Sequence, residues 1–350
     1  MLQVMHKELR LQHAAGFFPA GQALNSVYFG GGTPSILETD EIAALLALCQ
    51  ELFAVSSPYE VTLEANPDDL SPQKIAGFKQ AGVNRLSIGV QSFFDEDLKW
   101  MNRAHVAAEA EAAIRAAQDG GIENITADLI YGYPLLTDAK WEQNIQTMID
   151  LGIPHISAYS MTVEPRTALG TWVRRGKEKG MNEEQSATQF ERLMERLEDA
   201  GYLHYEVSNW AKPGREAVHN GNYWKGQPYL GIGPSAHSYD GTGRQWNVAN
   251  NGEYMRGLAG DVLPAVEREE LKPADRLNEY IMTSLRTSWG LDLDKVKAEF
   301  EPELWRPLAK GLSQLEAGGL VKTKEENDAI YVLTKSGILL ADRIASDLFI

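Results

Sequence analysis

The chain has 350 residues, of which 43% are hydrophobic and 23% are charged, the proportions of an ordinary soluble globular protein. Its formal net charge of -16 disfavours nucleic acid and anionic lipid as partners, because both bind clustered Lys and Arg. A single cysteine excludes a disulfide framework. No apolar run reaches the length of a membrane span, and the N-terminal residues lack a signal-peptide pattern. We therefore expect a cytoplasmic protein without stable membrane insertion.

The first half of the chain alternates β-rich runs with helical segments. A helix over 2–15 comes first, and β-rich runs follow over 26–29, 60–64, 85–90, 125–130 and 155–159. Periodic helical segments separate these runs, over 40–53, 71–81, 107–119 and 139–151. Strands that alternate with helices predict parallel βα units in an α/β fold. Because a parallel barrel normally begins with a strand, we expect a partial (β/α) barrel over 1–205 that lacks its first strand.

The second half has a different pattern. A charged loop over 174–180 and a long helix over 183–200 precede a segment rich in Gly, Asn, Tyr and Trp. We assign this connecting segment to 206–262. From residue 274 the chain is helical again, and two short β-rich runs and a terminal helix follow. This order predicts a small winged-helix-like α+β domain over 263–350, although it carries no basic face for DNA.

Polar groups and glycines lie at the ends of the predicted strands. They are Gly31, Gly32 and Thr33 after the first run, then Glu64, Gln91 and Asp128, with Arg103 one short helix after Gln91. In a barrel of parallel strands, this edge binds the ligand. The glycines let a ligand approach the bare backbone, since glycine has no Cβ. The pattern therefore predicts a ligand site at this edge.

Each of these groups has a structural alternative when it is taken alone. The glycine run fits a tight turn, and Glu64 fits a helix-capping acid. Asp128 lies among apolar residues, so its burial requires a partner, either Arg103 or a ligand. Four polar side chains on or near successive strand ends favour the ligand site over these alternatives.

Six sequence strings carry a family resemblance. They are YFGGGTP at 28–34, EANP at 64–67, SIGVQSF at 87–93, DLIYG at 128–132, AKPG at 211–214 and HNGNYW at 219–224. The first four resemble the radical S-adenosylmethionine (SAM) proteins related to oxygen-independent coproporphyrinogen III oxidase. The last two narrow the resemblance to the HemW branch, whose members are heme chaperones. The resemblance covers nearly the whole chain.

The resemblance implies a SAM site at the strand ends. It assigns Glu64 to the ribose of SAM. The other positions that match SAM-contacting positions of the family are Gly31, Gly32, Thr33, Gln91, Arg103 and Asp128.

The resemblance also implies a heme site at His219, because the histidine of the HNxxYW string is linked to heme in the family. Imidazole is a common axial ligand of heme iron, and Tyr223 and Trp224 offer flat apolar surface to a porphyrin. From the residues alone, a hydrogen bond between His219 and neighbouring backbone stays open. His237 is a second candidate ligand with weaker support.

The implied function is that of a chaperone that binds heme and delivers it to apo-haemoproteins such as respiratory enzymes. One alternative is a coproporphyrinogen dehydrogenase, which would oxidise propionate side chains with a SAM-derived radical. A degenerate paralogue without a cluster is a further alternative. The HNxxYW string favours the chaperone, because the oxidase resemblance lacks it.

The chain departs from the family at its cluster ligands. The family's CxxxCxxC motif follows the first barrel strand and holds a [4Fe–4S] cluster, but this chain has only Cys49, inside an apolar helical run. We expect Cys49 to pack in the core. The cluster expected in the intact protein therefore has no cysteine ligands here. A truncated or misplaced start is the expected cause, and codons upstream of Met1 would then encode the strand and the motif.

Overall fold

A computed structural model describes residues 1–19, 21–260, 263 and 266–350. These residues form two compact units. The first comprises Met1–Ser26, Ala43–Tyr59 and Val218–Ile350, and the second comprises Val27–Ile42 and Glu60–Ala217. The domain boundaries expected from the sequence, at 205 and 262, stay a prediction.

The second unit contains most of a seven-stranded sheet. Its strands are β1 (Leu24–Phe29), β2 (Val55–Ala65), β3 (Arg85–Gln91), β4 (Asn124–Tyr131), β5 (His155–Ser160), β6 (Leu203–Glu206) and β7 (Asn209–Ala211). The spatial order is β1-β2-β3-β4-β5-β7-β6. Strands β2 to β5 pair in parallel, whereas β7 runs antiparallel to β5 and β6. The predicted partial (β/α) barrel is confirmed.

Helices connect the parallel strands, as the sequence predicts. The helices up to β6 are α1 (Leu2–Ala15), α2 (Thr39–Leu52), α3 (Pro72–Ala81), α4 (Asp95–Trp100), α5 (Ala107–Asp119), α6 (Asp138–Asp150), α7 (Ala168–Arg174) and α8 (Glu183–Asp199). Helix α3 shows why the helix boundaries can be predicted from the sequence. The Ser71 hydroxyl caps its start by accepting from the Lys74 N–H, and Gly82 ends it in a left-handed conformation.

The parallel strands separate an apolar face from a polar face. Residues of the apolar face are fully buried, among them Leu63, Leu86, Ile88, Ile125 and Ile156. Helices α5 and α6 contact strands β3 and β4. The alternate residues point to the opposite face and are mostly polar, because side chains alternate along a strand. The predicted ligand residues Glu64, Gln91 and Asp128 belong to this polar face.

At the start of the strands, the polar face holds a buried arginine. The Arg85 guanidinium donates to Thr126 Oγ1 at 2.8 Å, Asn124 Oδ1 at 3.0 Å and Glu60 Oε2 at 3.4 Å. The Arg85 and Glu60 side chains are only 1% and 5% exposed. Burial lowers the pKa of Arg85, while the charge of Glu60 raises it. The two charges therefore depend on each other inside the protein.

Besides α1, the first unit contains the elements that follow β7. They are α9 (Val218–Trp224), β8 (His237–Tyr239), β9 (Gly243–Trp246), α10 (Asn251–Gly257), β10 (Glu267–Glu270), α11 (Pro273–Leu285), β11 (Leu291–Asp292), α12 (Leu293–Glu299), α13 (Pro302–Ala317), β12 (Val321–Lys324), β13 (Asn327–Leu333), α14 (Lys335–Ile338) and α15 (Ala341–Asp347). Its sheets have the orders β10-β9-β8 and β11-β13-β12. The second sheet and its helices form the predicted C-terminal α+β unit. Within the described ranges, no helix has both the length and the hydropathy needed to cross a membrane.

Helix α1 carries a buried carboxylate that the amphipathic pattern does not reveal. Glu8 is 0% exposed and accepts hydrogen bonds from Asn247 Nδ2 at 2.6 Å, the Gly233 N–H at 2.9 Å and the Tyr254 hydroxyl. Burial raises the pKa of Glu8, although these donors oppose the shift. The network ties α1 to the segments that flank β8 and β9 in the first unit.

The Arg85 cluster yields a stability prediction. We expect Arg85→Met to lower the free energy of unfolding by about 3–5 kcal/mol, because the Glu60 carboxylate stays buried without the guanidinium. Denaturant unfolding measures the loss. The double variant Arg85→Met/Glu60→Gln is the control and should recover part of it. A loss below about 1 kcal/mol in the single variant, as for an exposed ion pair, would contradict this account.

Candidate functional site

The loop after β1 brings Glu64 against Tyr28. The Tyr28 hydroxyl donates to Glu64 Oε1 at 2.6 Å, and the Gly31 N–H donates to Oε2 at 3.2 Å. A Cβ on Gly30 would lie 2.4 Å from Tyr28 Cε1 and 2.6 Å from Glu64 Oε1. Any residue other than glycine at position 30 therefore requires the Tyr28 ring and the Glu64 carboxylate to move. Gly31 has a φ of 80°, which also favours glycine.

Negative charge is concentrated beside this loop. Burial raises the pKa of Asp128 to about 7, and the nearby Glu64 charge adds to the shift. The nearby Ser157 hydroxyl and the charge of Arg103 act in the opposite direction. Burial and then the Glu64 charge raise the pKa of Tyr28, so its phenol stays protonated and remains a donor. This cluster suits a ligand with hydroxyl groups or a positive charge.

The hydrogen bonds of Arg103 do not go to Asp128, for which Arg103 was one of two expected partners, the other being a ligand. Arg103 Nη2 instead donates to Asn66 Oδ1 at 2.7 Å and to the Gly89 carbonyl at 3.4 Å. Arg103 Nε is buried and has no hydrogen-bond partner among the described residues. A buried donor without a partner is unfavourable, so an acceptor on a ligand would stabilise it.

Gln91 ends β3 in an unusual backbone conformation. Its φ is 69°, in the left-handed region that is uncommon for residues other than glycine. The pairing of β3 with β4 shifts between Ile88 and Gln91. A Cβ on Gly89 would lie 3.2 Å from Gln91 Nε2 and 3.3 Å from Arg103 Nη2, so these two side chains are neighbours. Strained backbone of this kind is common at functional sites.

The remaining predicted loop residues are more open. Gly32 is exposed, with open space where a Cβ would stand, and Thr33 is half-buried before the short turn Pro34–Ile36. The structure thus brings Gly31, Glu64 and Asp128 into one cluster and places Gln91 beside Arg103.

Sequence reasoning missed three polar residues of the site. Tyr28 and Asn66 hold Glu64 and Arg103, and Ser157 contacts Asp128 and donates to Asn209 Oδ1 at 2.7 Å. Strand register was the available signal for Ser157, because it pairs with Asp128 on the neighbouring strand. Tyr28 lies two residues before Gly30, on the same face of β1 as the start of the loop.

His219 lies on the short helix α9 of the first unit. It is half-buried, and its Nδ1 lies 2.9 Å from Ser26 Oγ while its Nε2 lies 3.1 Å from the Tyr223 hydroxyl. His219 and Tyr223 are four residues apart and share one helix face. The Tyr223 side chain is 42% exposed and contacts Tyr229 edge-on at 4.7 Å. Hydroxyl groups therefore hold the imidazole, rather than the neighbouring backbone alone.

The other face of α9 packs against the first unit. Trp224 lies under the Arg286 guanidinium at 5.4 Å, so it is engaged within the protein. Asn222 exchanges two hydrogen bonds with Asn25. These contacts fix the helix and leave Tyr223 as its exposed aromatic group.

The second histidine candidate, His237, lies on β8 in the small sheet of the first unit. Its ring is exposed and stacks on Trp246 at 5.7 Å. Trp246 is its direct cross-strand neighbour on β9.

The only cysteine of the chain does not offer a cluster ligand. Cys49 lies in α2, and burial raises the pKa of its thiol to about 11. A thiolate is the form that binds metal, so this environment opposes ligation. In the part of the chain that the structure describes, no group of three or more His, Cys, Asp or Glu residues is placed to hold a metal ion.

Comparison with known proteins adds family information to this geometry. Residues 5–148 match the radical SAM superfamily, and residues 271–340 match the HemN C-terminal domain. The fold is similar to coproporphyrinogen III oxidase HemN from Escherichia coli, with a TM-score of 0.80 over 99% of this chain and 82% of that one, at 22% identity. That likeness concerns the fold alone.

Relatives with higher sequence identity have names that differ from that of the oxidase. Heme chaperone HemW from Mycobacterium tuberculosis is 36% identical over 326 residues, which are 93% of this chain and 80% of the relative. Heme chaperone HemW from Bacillus subtilis is 34% identical over 322 residues, 92% and 84% of the two chains. A mitochondrial radical SAM domain-containing protein 1 from Mus musculus is 38% identical over 86% of this chain and 70% of its own.

The half-barrel and the two domain matches define a protein of the radical SAM class with a HemN-type C-terminal domain. Within that class, the chain belongs to the HemW family.

The crowding at position 30 yields a testable prediction. Gly30→Ala should lower the free energy of unfolding by about 1–3 kcal/mol, because its Cβ overlaps Tyr28 and Glu64. Thermal and denaturant unfolding measure the effect. Gly32→Ala is the matched control, because a Cβ there meets open space. Equal stabilities of the two variants would contradict the assigned crowding.

Proposed function

We propose that this chain is a heme chaperone that binds heme through His219 and passes it to apo-haemoproteins such as respiratory enzymes. The observation that carries the proposal is His219 on α9, with the exposed ring of Tyr223 one turn away. Relatives that are named heme chaperones and align over more than 90% of the chain support it. A cytoplasmic location is part of this proposal.

We further propose that SAM binds at the strand ends of the second unit. Glu64 would accept hydrogen bonds from the ribose hydroxyls, and Arg103 Nε would donate to the carboxylate of SAM. Asp128 would face the positively charged groups of SAM, and Gln91, Gly31, Gly32 and Thr33 would complete the site. The donor set fits the ligand, since the residues offer both anionic acceptors and a buried cationic donor without a partner.

The residues of this chain do not fit a [4Fe–4S] cluster. One cysteine with a raised pKa cannot replace three thiolates. The function proposed for the residues of this chain is therefore binding of SAM and heme.

The alternative function is that of a coproporphyrinogen dehydrogenase, suggested by the fold of HemN. It requires a cluster to generate the radical, and the fold alone does not carry an activity. The HNxxYW string and the names of the closer relatives favour the chaperone.

The charge cluster predicts how SAM binding depends on pH. Asp128 is mostly protonated at pH 6 and mostly ionised at pH 8, because its pKa is about 7. The ionised form attracts the positive charge of SAM, so affinity should rise about tenfold across this range and then level off. Calorimetric titration of the chain with SAM measures the affinity.

Two variants control this experiment. Asp128→Asn cannot ionise, so the ratio of wild-type to variant affinity should carry the pH dependence and cancel the titration of SAM itself. Glu64→Ala should lose about 1.5–3 kcal/mol of binding free energy across the range, the worth of a charge-assisted hydrogen bond. An affinity ratio that does not change with pH would contradict the proposed contact of ionised Asp128 with SAM. Unchanged binding by Glu64→Ala would mean that Glu64 has a structural role and does not bind the ribose.

The heme proposal predicts a specific spectral change. Heme added to the chain should give a Soret spectrum of histidine ligation, and His219→Ala should shift or abolish it. His237→Ala is the matched control and should leave the spectrum unchanged. The oxidase alternative predicts that His219→Ala has the same heme spectrum as the wild type. It also predicts anaerobic decarboxylation of coproporphyrinogen by a form of the protein that carries the CxxxCxxC motif. Those two results together would overturn the chaperone assignment.

A further inference from the structure

Both ring nitrogens of His219 contact hydroxyl groups of the first unit. The Nδ1 atom lies 2.9 Å from Ser26 Oγ, and the Nε2 atom lies 3.1 Å from Tyr223 Oη. The rings of His219 and Tyr223 meet edge-on, with centroids 5.0 Å apart and planes at 89°. The imidazole is therefore held on both sides before any ligand arrives.

The partners of Ser26 bear on which nitrogen carries the proton. Asn222 Nδ2 donates to Ser26 Oγ at 3.2 Å, and Asn222 is itself fixed by its two hydrogen bonds with Asn25. A hydroxyl oxygen accepts two hydrogen bonds. Ser26 Oγ is thus able to accept from Asn222 and from the Nδ1–H group of His219. In that arrangement the lone pair of His219 lies on Nε2.

The partner of Nε2 is a protonated phenol. The Tyr223 hydroxyl lies 3.1 Å from Nε2, and a phenol keeps its proton at neutral pH because its ordinary pKa is about 10. A neutral ring nitrogen accepts a hydrogen bond from such a donor. The Tyr223 O–H then donates to the lone pair of Nε2. This is the electron pair with which a histidine binds iron. Because the Tyr223 side chain is 42% exposed, it has room to turn away.

We propose that Tyr223 is a removable cap on the iron-binding nitrogen of His219, and that Ser26 is the positioning residue that keeps the lone pair on that nitrogen. This proposal rests on the proposed heme-binding role of His219. When heme binds, the O–H···Nε2 hydrogen bond breaks and the Nε2–Fe bond forms, with no net proton transfer. When heme leaves, the Tyr223 hydroxyl again donates its hydrogen bond to Nε2. The cap weakens heme binding and eases release to an acceptor protein.

The first test reads the imidazole without heme. The chain is labelled with ¹⁵N-histidine, and long-range ¹H–¹⁵N correlations assign His219 by comparison with His219→Ala. We expect the proton on Nδ1 in the wild type and a shift towards Nε2 protonation in Ser26→Ala, because which nitrogen is protonated depends on the hydrogen bond the other makes. Ser26→Thr keeps the hydroxyl and should restore the wild-type tautomer. Tyr229→Phe removes the hydroxyl of the ring that lies edge-on to Tyr223 and should change nothing.

The second test measures heme. Tyr223→Phe keeps the ring and removes the hydroxyl, so heme affinity should rise roughly two- to tenfold, the worth of one hydrogen bond. Transfer of heme to apomyoglobin should slow in the same variant. Ser26→Ala should bind heme more weakly than the wild type, and Ser26→Thr should recover the affinity. The Soret titration and the transfer rate are the two readouts.

The outcomes separate the cap from the heme assignment. If His219→Ala abolishes heme binding but Tyr223→Phe does not tighten it, the cap is wrong and the chaperone proposal stands. An Nε2–H tautomer in the wild type would also overturn the cap, since the lone pair would then lie on Nδ1. If His219→Ala binds heme as the wild type does, His219 is not the heme ligand, and the proposal that Tyr223 caps it is wrong as well.

Discussion

Hydrogen bonds between neighbouring strands allow the half-barrel to keep one polar face, and the functional site depends on them. Arg85 is nearly inaccessible to solvent and is satisfied by Thr126, Asn124 and Glu60 from the adjacent strands. Ser157 and Asn209 bond across β5 and β7 in the same way. A buried polar group costs about 1–3 kcal/mol when its partner is lost. Each strand therefore stabilises its neighbour through side chains as well as through the backbone.

Towards the C-terminal ends of the strands, this satisfaction is incomplete. Asp128 is half-buried close to the charge of Glu64, and Arg103 Nε has no partner among the described residues. The protein thus places charges of both signs where its own side chains do not fully neutralise them. A ligand that carries complementary charges relieves both conditions at once, which is how local destabilisation contributes to binding.

The fold could be predicted from the sequence, and so could the face of the sheet on which the strand-end residues lie. Both follow from the periodicity of apolar residues. Alternation along β2 to β4 assigned Glu64 and Asp128 to one face, and the parallel order brought them to one edge. Of the two partners expected for Asp128, Arg103 or a ligand, Arg103 donates to Asn66 instead. Such pairings depend on rotamers and on the backbone turn at Gln91, which no local pattern encodes. The Glu8 network was missed for a related reason, because its donors are more than 200 residues away in sequence.

The absence of a side chain at Gly30 makes three positions interdependent. A Cβ there would overlap both the Tyr28 ring and the Glu64 carboxylate, so alanine fits only if these side chains move. The hydrogen bond between Tyr28 and Glu64 uses the same two groups. Effects of substitutions at positions 28, 30 and 64 are therefore not additive, and an engineered loop has to change the three positions together.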